Sequence, residues 1–153
     1  MNLPHYLGLL HRAQTELAAA FREVGDAHAA EADVLHLTRT LAGQCERQAE
    51  GLSPFVERYG EQAEAEPERL HAELFAGARS GGLGLLRDLH DLYLMAAQCD
   101  IAWTLVGQAA RGLRDEELIA VVTACEGETA MQMRWLRTRM KQAAPQALVV
   151  AGQ

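Results

Sequence analysis

A chain of 153 residues is the size of one ordinary domain, and 49% hydrophobic residues can build one substantial core. Ala, Leu, Glu, Arg and Gln supply 87 of the 153 residues and aromatics only 5%; strong helix formers in that share predict an all-α protein and argue against extensive sheet. A formal net charge of −7 argues against a nucleic-acid partner, whose phosphates require a basic surface.

No apolar run approaches the roughly 20 residues needed to cross a bilayer, so no membrane partner is expected. The start, Met-Asn-Leu-Pro-His-Tyr, lacks the basic and long apolar segments of a secretory leader. Three cysteines, an odd number at low density, suit a reducing compartment, and the expected location is cytoplasmic.

Leu3, Leu7, Leu10, Leu17, Phe21 and Val24 repeat at helical spacing and predict a first helix over about 3–25. Pro4 fits its first turn, Asn2 is placed to cap it, and Gly25-Asp26 reads as a stop and restart. A second helix carries Leu35, Thr38, Leu41, Cys45, Ala49 and Leu52 on one face. Pro54 lacks a backbone donor and is expected to kink or break it, with Phe55, Val56 and Tyr59 continuing the face to Gly60. Residues 61–67 are acidic without an apolar face and read as a loop, followed by a short helix over 67–78 that Ser80-Gly81-Gly82 ends.

A third helix over about 83–111 sets Leu86, Leu89, Tyr93, Ala96, Asp100, Trp103, Gly107 and Ala110 on one stripe, and Gly112 ends it. Asp115-Glu116-Glu117 opens a fourth helix with charges that suit its positive end. Its stripe is Ile119, Val122, Glu126, Thr129, Met133, Leu136 and Met140. Pro145 closes it, giving one domain over 1–144 and a tail over 145–153. Arg134, Arg137, Arg139 and Lys141 gather near the end of this helix, where complementing its dipole is one reading and an anion or membrane-surface patch the other.

Helices of this length, roughly 33–43 Å at 1.5 Å per residue, bury their stripes most simply in a four-helix bundle. The first and last links are short and predict antiparallel hairpins. The middle link is long, about 22 residues from Gly60 to Gly82, and can return the chain along the bundle, leaving helices 2 and 3 parallel.

Acids stand on or beside these stripes: Asp100 and Glu126 within them, Glu46 and Glu16 at their borders. A buried carboxylate must be protonated, paired or metal-bound. One such acid per helix, on a bundle with one long crossover, resembles the ferritin-like superfamily. That family's di-iron site takes Glu from helices 1 and 3 and Glu-x-x-His from helices 2 and 4. The resemblance implies Glu16, Glu46, Asp100 and Glu126 as metal ligands. Glu46-Arg47-Gln48-Ala49 and Glu126-Gly127-Glu128-Thr129 depart from the motif, because Ala49 and Thr129 occupy the histidine positions. The resemblance therefore implies the fold more strongly than it implies oxidation chemistry.

Each cysteine precedes an acid, in Cys45-Glu46, Cys99-Asp100 and Cys125-Glu126. Adjacent helical residues point about 100° apart, so both members can border one interior. A mixed thiolate–carboxylate site for zinc or a softer ion is one reading; buried thiols acting as small hydrophobes is the other. His28, Glu31, Asp33 and His36 cluster at the first turn, where a surface metal site or solvated capping groups would fit, and His90-Asp91 reads as a surface hydrogen bond.

The functional expectations are a ferritin-like bundle binding one or two ions, iron or zinc, through interior carboxylates; a metal-free bundle of that kind acting as an interaction or regulatory module; or a small-molecule binder with a pocket between helices. A homodimer is the expected assembly.

Overall fold

The computed structural model describes residues 1–60 and 73–150. Four long helices account for nearly all of them: α1 Leu3–Ala27, α2 Ala32–Arg58, α3 Gly81–Leu113 and α4 Glu116–Pro145. α1 starts with a proline in its first turn, where a missing N–H leaves no bond unmade. Asn2 stands at its N-cap, but its side chain makes no capping bond. α4 starts at Asp115, whose carboxylate accepts from the Leu118 backbone N–H at 3.1 Å. α3 ends at Arg114, held in the left-handed region at φ 56°, so an arginine and not Gly112 makes the C-terminal cap.

Cross-helix contacts fix the directions. Arg22 of α1 pairs with Glu46 of α2 at 2.7 Å, and Gly25 lies against Thr38, so α1 and α2 are antiparallel. His28 at the end of α1 meets Asp88 near the start of α3, while Tyr6 shares a groove with Leu105, so these two are antiparallel as well. Arg58 at the end of α2 meets Asp115 at the start of α4 at 2.8 Å. Gly107 lies against Val122, and Arg137 donates to the Tyr93 hydroxyl, so α3 and α4 are antiparallel. Each helix thus packs on two antiparallel neighbours, and α2 and α3 run parallel across the diagonal. This is the direction expected from the long middle link. Its described part, residues 73–80, is irregular and lies on the α1/α3 seam, with Leu74 and Phe75 over Ala19, Ala20 and Met95.

Several sequence expectations are corrected. α1 runs through Gly25-Asp26 to Ala27, because Gly25 is needed for close approach: a Cβ there would overlap Thr38 Oγ1. Of the kink or break expected at Pro54, the break does not occur, and α2 runs through Pro54 to Arg58. Pro54 and Glu50 are both exposed, so the carbonyl that loses its partner can be hydrated. The short helix expected over 67–78 is not helical over 73–78, and its first residues lie outside the described part. The first residues of the tail expected over 145–153 are helical: Pro145 is inside α4, and a π-helical turn, Gln146–Val150, follows with Ala147 buried. Residues 151–153 lie outside the described part.

The core centres on Leu7, Leu10, Phe21, Leu52, Leu89 and Trp103, all fully buried. On α4 the buried line is Leu118, Val122, Cys125, Thr129, Gln132 and Leu136. The expected line, with Ile119, Glu126 and Met133, is rotated by one residue from it. A helix of period 3.6 lets two neighbouring lines satisfy the same apolar spacing. Packing against two neighbours selects the one that keeps Glu126 off the axis. The same rotation on α3 buries Cys99 and leaves Asp100 half-buried.

Candidate functional site

The carboxylates named from sequence do not line the bundle axis. Glu46 is half exposed and pairs with Arg22. Glu16 is partly exposed and accepts from Arg12 Nε at 3.2 Å. Asp100 is half-buried beside Cys99, and Glu126 borders the space at Gly107 together with Arg111. Among the described residues, no group of three or more His, Cys, Asp or Glu side chains is placed to hold a metal ion. The donor set therefore does not fit the di-iron arrangement. A carboxylate one position from a buried thiol is turned about 100° from it, and Glu46 there meets Arg22, which avoids the large penalty of burying its charge.

What faces inward at mid-bundle is neutral. Gln14 of α1, Gln48 of α2, and Thr129 and Gln132 of α4 are buried, as are Cys45, Cys99 and Cys125. Gln132 Nε2 donates to Gln44 Oε1 at 3.1 Å and to Cys45 Sγ at 3.6 Å, and the Cys45 thiol faces Gln132 Oε1. Gln48 donates to Glu128 at 3.2 Å, and Thr129 to the Cys125 carbonyl at 2.8 Å. Gln14 has neither amide atom paired among the described residues, and Trp103 Nε1 is likewise unpaired. The three cysteines are free. Burial pushes the Cys45 and Cys125 thiols up to about 12, and Cys99 well above its ordinary value. Protonated thiols are poor nucleophiles and poor metal ligands.

A second polar group, at the end where α1 stops and α3 starts, was not legible as a unit. Asp88 is fully buried on α3. Its carboxylate meets His28 Nε2 at 2.7 Å, the Arg79 backbone N–H at 2.9 Å and Arg79 Nη1 at 2.8 Å. Arg79 Nη1 also donates to Asp91 at 2.9 Å. Asp91 is therefore interior, and His90 instead meets Arg87 at 2.7 Å. His28 belongs to this buried group, whereas Glu31 and Asp33 accept from Arg139 at 3.3 and 2.7 Å. His36 is exposed. The available signal was two acids at i, i+3 inside a leucine-rich stretch with an arginine just upstream. The group clamps the connection to both helices, a structural task, and its carboxylates are already committed to donors.

At the opposite end, Tyr59 donates to Asp115 at 2.5 Å, and Arg58 donates to the same carboxylate. The Tyr59 bond is the main reason that Asp115 titrates below its ordinary value and Tyr59 above its own. This set ties α2 to α4 and likewise leaves no open donor set.

No family model, curated protein or solved structure matches the chain.

Proposed function

We propose that the protein is a helical bundle that works by contact, as an interaction or regulatory module, and not through a di-metal centre. One observation carries this reading. The side chains that face each other at mid-bundle are amides, a hydroxyl and protonated thiols, while Glu16 and Glu46 sit at the outside beside arginines. The antiparallel neighbours, with α2 and α3 parallel and joined by a long crossover, support kinship with ferritin-like bundles at the level of fold. No described helix is long and apolar enough to cross a membrane. Three free, buried thiols fit a reducing compartment, which supports a cytoplasmic placement.

Elemental analysis of chelator-free protein, before and after anaerobic Fe(II) or Zn(II) loading, tests the reading. The expected result is metal at background and an unchanged melting temperature. Stoichiometric metal that disappears in Glu126→Ala overturns it and restores the carboxylate site.

A further inference from the structure

The chain carries a net charge of −7, yet one strip of its surface is nearly uncharged. Between Leu92 and Ala110, α3 has one charged side chain, Asp100, on the same line as Tyr93 and Gly107, which face α4. Leu94, Ile101 and Leu105 are 42%, 61% and 47% exposed. Ile101 and Leu105 form one wall of a groove whose other wall is Tyr6, Leu9 and Ala13 of α1. Higher on the same seam, Leu74 and Phe75 of the chain's own connection cover it with apolar side chains. Below Glu16 the described residues leave the seam open.

We propose that this α1/α3 groove is the face through which two copies of the chain associate. The inference rests on the contact reading above and names the partner. A net charge of this size repels a second copy everywhere except where the surface is neutral, and the groove is such a place. Its rim is also self-complementary. Arg12 and Glu16 lie one turn apart on α1, bonded to each other, and Glu16 shares the groove with Gln98. A two-fold axis at the level of residue 14 sets α1 antiparallel to its copy and places Arg12 opposite Glu16 of the second copy. On α3, where Gln98 and Ile101 share the groove with Ala13 and Glu16, the same axis falls near residue 100 and brings Leu94 near Leu105 of the second copy. One patch thus meets itself, as a closed two-fold dimer requires.

The apolar strip from Leu94 to Ala109 is about 22 Å long at 1.5 Å per residue, and two helices each about 10 Å wide give a face on the order of 450 Å² per copy. That lies at the small end of specific interfaces and specifies a dimer that dissociates on dilution.

Sedimentation or light scattering of the full chain, from low-micromolar to near-millimolar concentration, tests the assignment. The mass is expected to rise from one chain to two, more readily at high salt because the net repulsion is screened. Ile101→Glu with Leu105→Glu should remain monomeric across the range, with unchanged circular dichroism and melting. Leu148→Glu, on an exposed residue of the C-terminal π turn, should dimerise like the parent. Arg12→Glu should weaken the dimer, and adding Glu16→Arg should restore it. A parent that stays monomeric, or a double variant that still dimerises, overturns the proposal. A monomer whose double variant melts lower would show the groove filled from within the same chain, which also overturns it. A monomer that takes up no metal leaves the contact reading standing, whereas stoichiometric iron overturns that reading whatever the mass.

Discussion

His28 Nε2 and Asp88 Oδ2 lie 2.7 Å apart in the buried upper end of the bundle, joining the last turn of α1 to the second turn of α3 across 60 residues of sequence. Arg79 closes on the same carboxylate from the connection, with both its backbone N–H and its guanidinium. One side chain therefore holds three segments. Asp88→Ala removes the acceptor of the buried His28 ring and of the Arg79 backbone N–H and leaves the guanidinium only Asp91, so it should destabilise the fold by about 3–5 kcal/mol in urea titrations. Arg79→Ala should do less, because Arg79 is partly exposed, but should speed proteolysis in the connection. A loss below about 1 kcal/mol for Asp88→Ala would show that the pair is worth no more than a surface contact.

The bond from Tyr59 to Asp115 predicts a pH window. Asp115 titrates below its ordinary 3.8 in the fold, so its contribution is present above about pH 4 and is lost as pH falls through the lowered value. Tyr59 titrates above its ordinary 10.0, so its contribution is present below about pH 10 and is lost as pH rises through the raised value. Tyr59→Phe should cost about 1 kcal/mol, and that difference from the parent should be flat between the two limits and shrink outside them. A difference unchanged down to pH 2, measured by urea titration, would contradict this account.

Gln14 is fully buried with both amide atoms unpaired among the described residues. Gln14→Leu keeps approximate volume and removes the desolvated amide, so it should raise stability by about 1–2 kcal/mol. A lower melting temperature would mean that the amide has a partner essential to the core.

Two glycines on α1 separate propensity from packing. Gly8 is exposed with open space around it, so Gly8→Ala should stabilise by about 0.5–1 kcal/mol. Gly25→Ala would drive its Cβ into Thr38 and should destabilise by about 1–3 kcal/mol. Opposite signs in thermal melts are the expected outcome, and equal signs would refute the close approach of α1 and α2.

The thiols offer a check on burial. With Cys45 and Cys125 raised to about 12 and Cys99 higher still, the folded protein at pH 8 should resist iodoacetamide, and all three should label in denaturant. Because folding holds these thiols protonated, the stability they contribute is present below about pH 9 and falls as pH rises beyond it. Rapid labelling of any one in the native state, read by mass spectrometry, would place it at the surface.

Helix existence and approximate extent were written in the local sequence, because the number of helix formers and the spacing of Leu7, Leu10, Leu17 and Phe21 depend only on neighbours in the chain. The parallel run of α2 and α3 was legible too, since a long link between Gly60 and Gly82 must span the bundle if the flanking helices do. The rotation of each helix about its own axis was not. Cys125 and Glu126, or Cys99 and Asp100, serve equally well as the inward residue when one helix is viewed alone. Only contact with two neighbours shows which of them would be sealed from water, and the energy of burying a carboxylate then turns the acid outward. The same holds for Asp88: the sequence set it among leucines, and the fold supplied His28 and Arg79, whose donors make its burial stable.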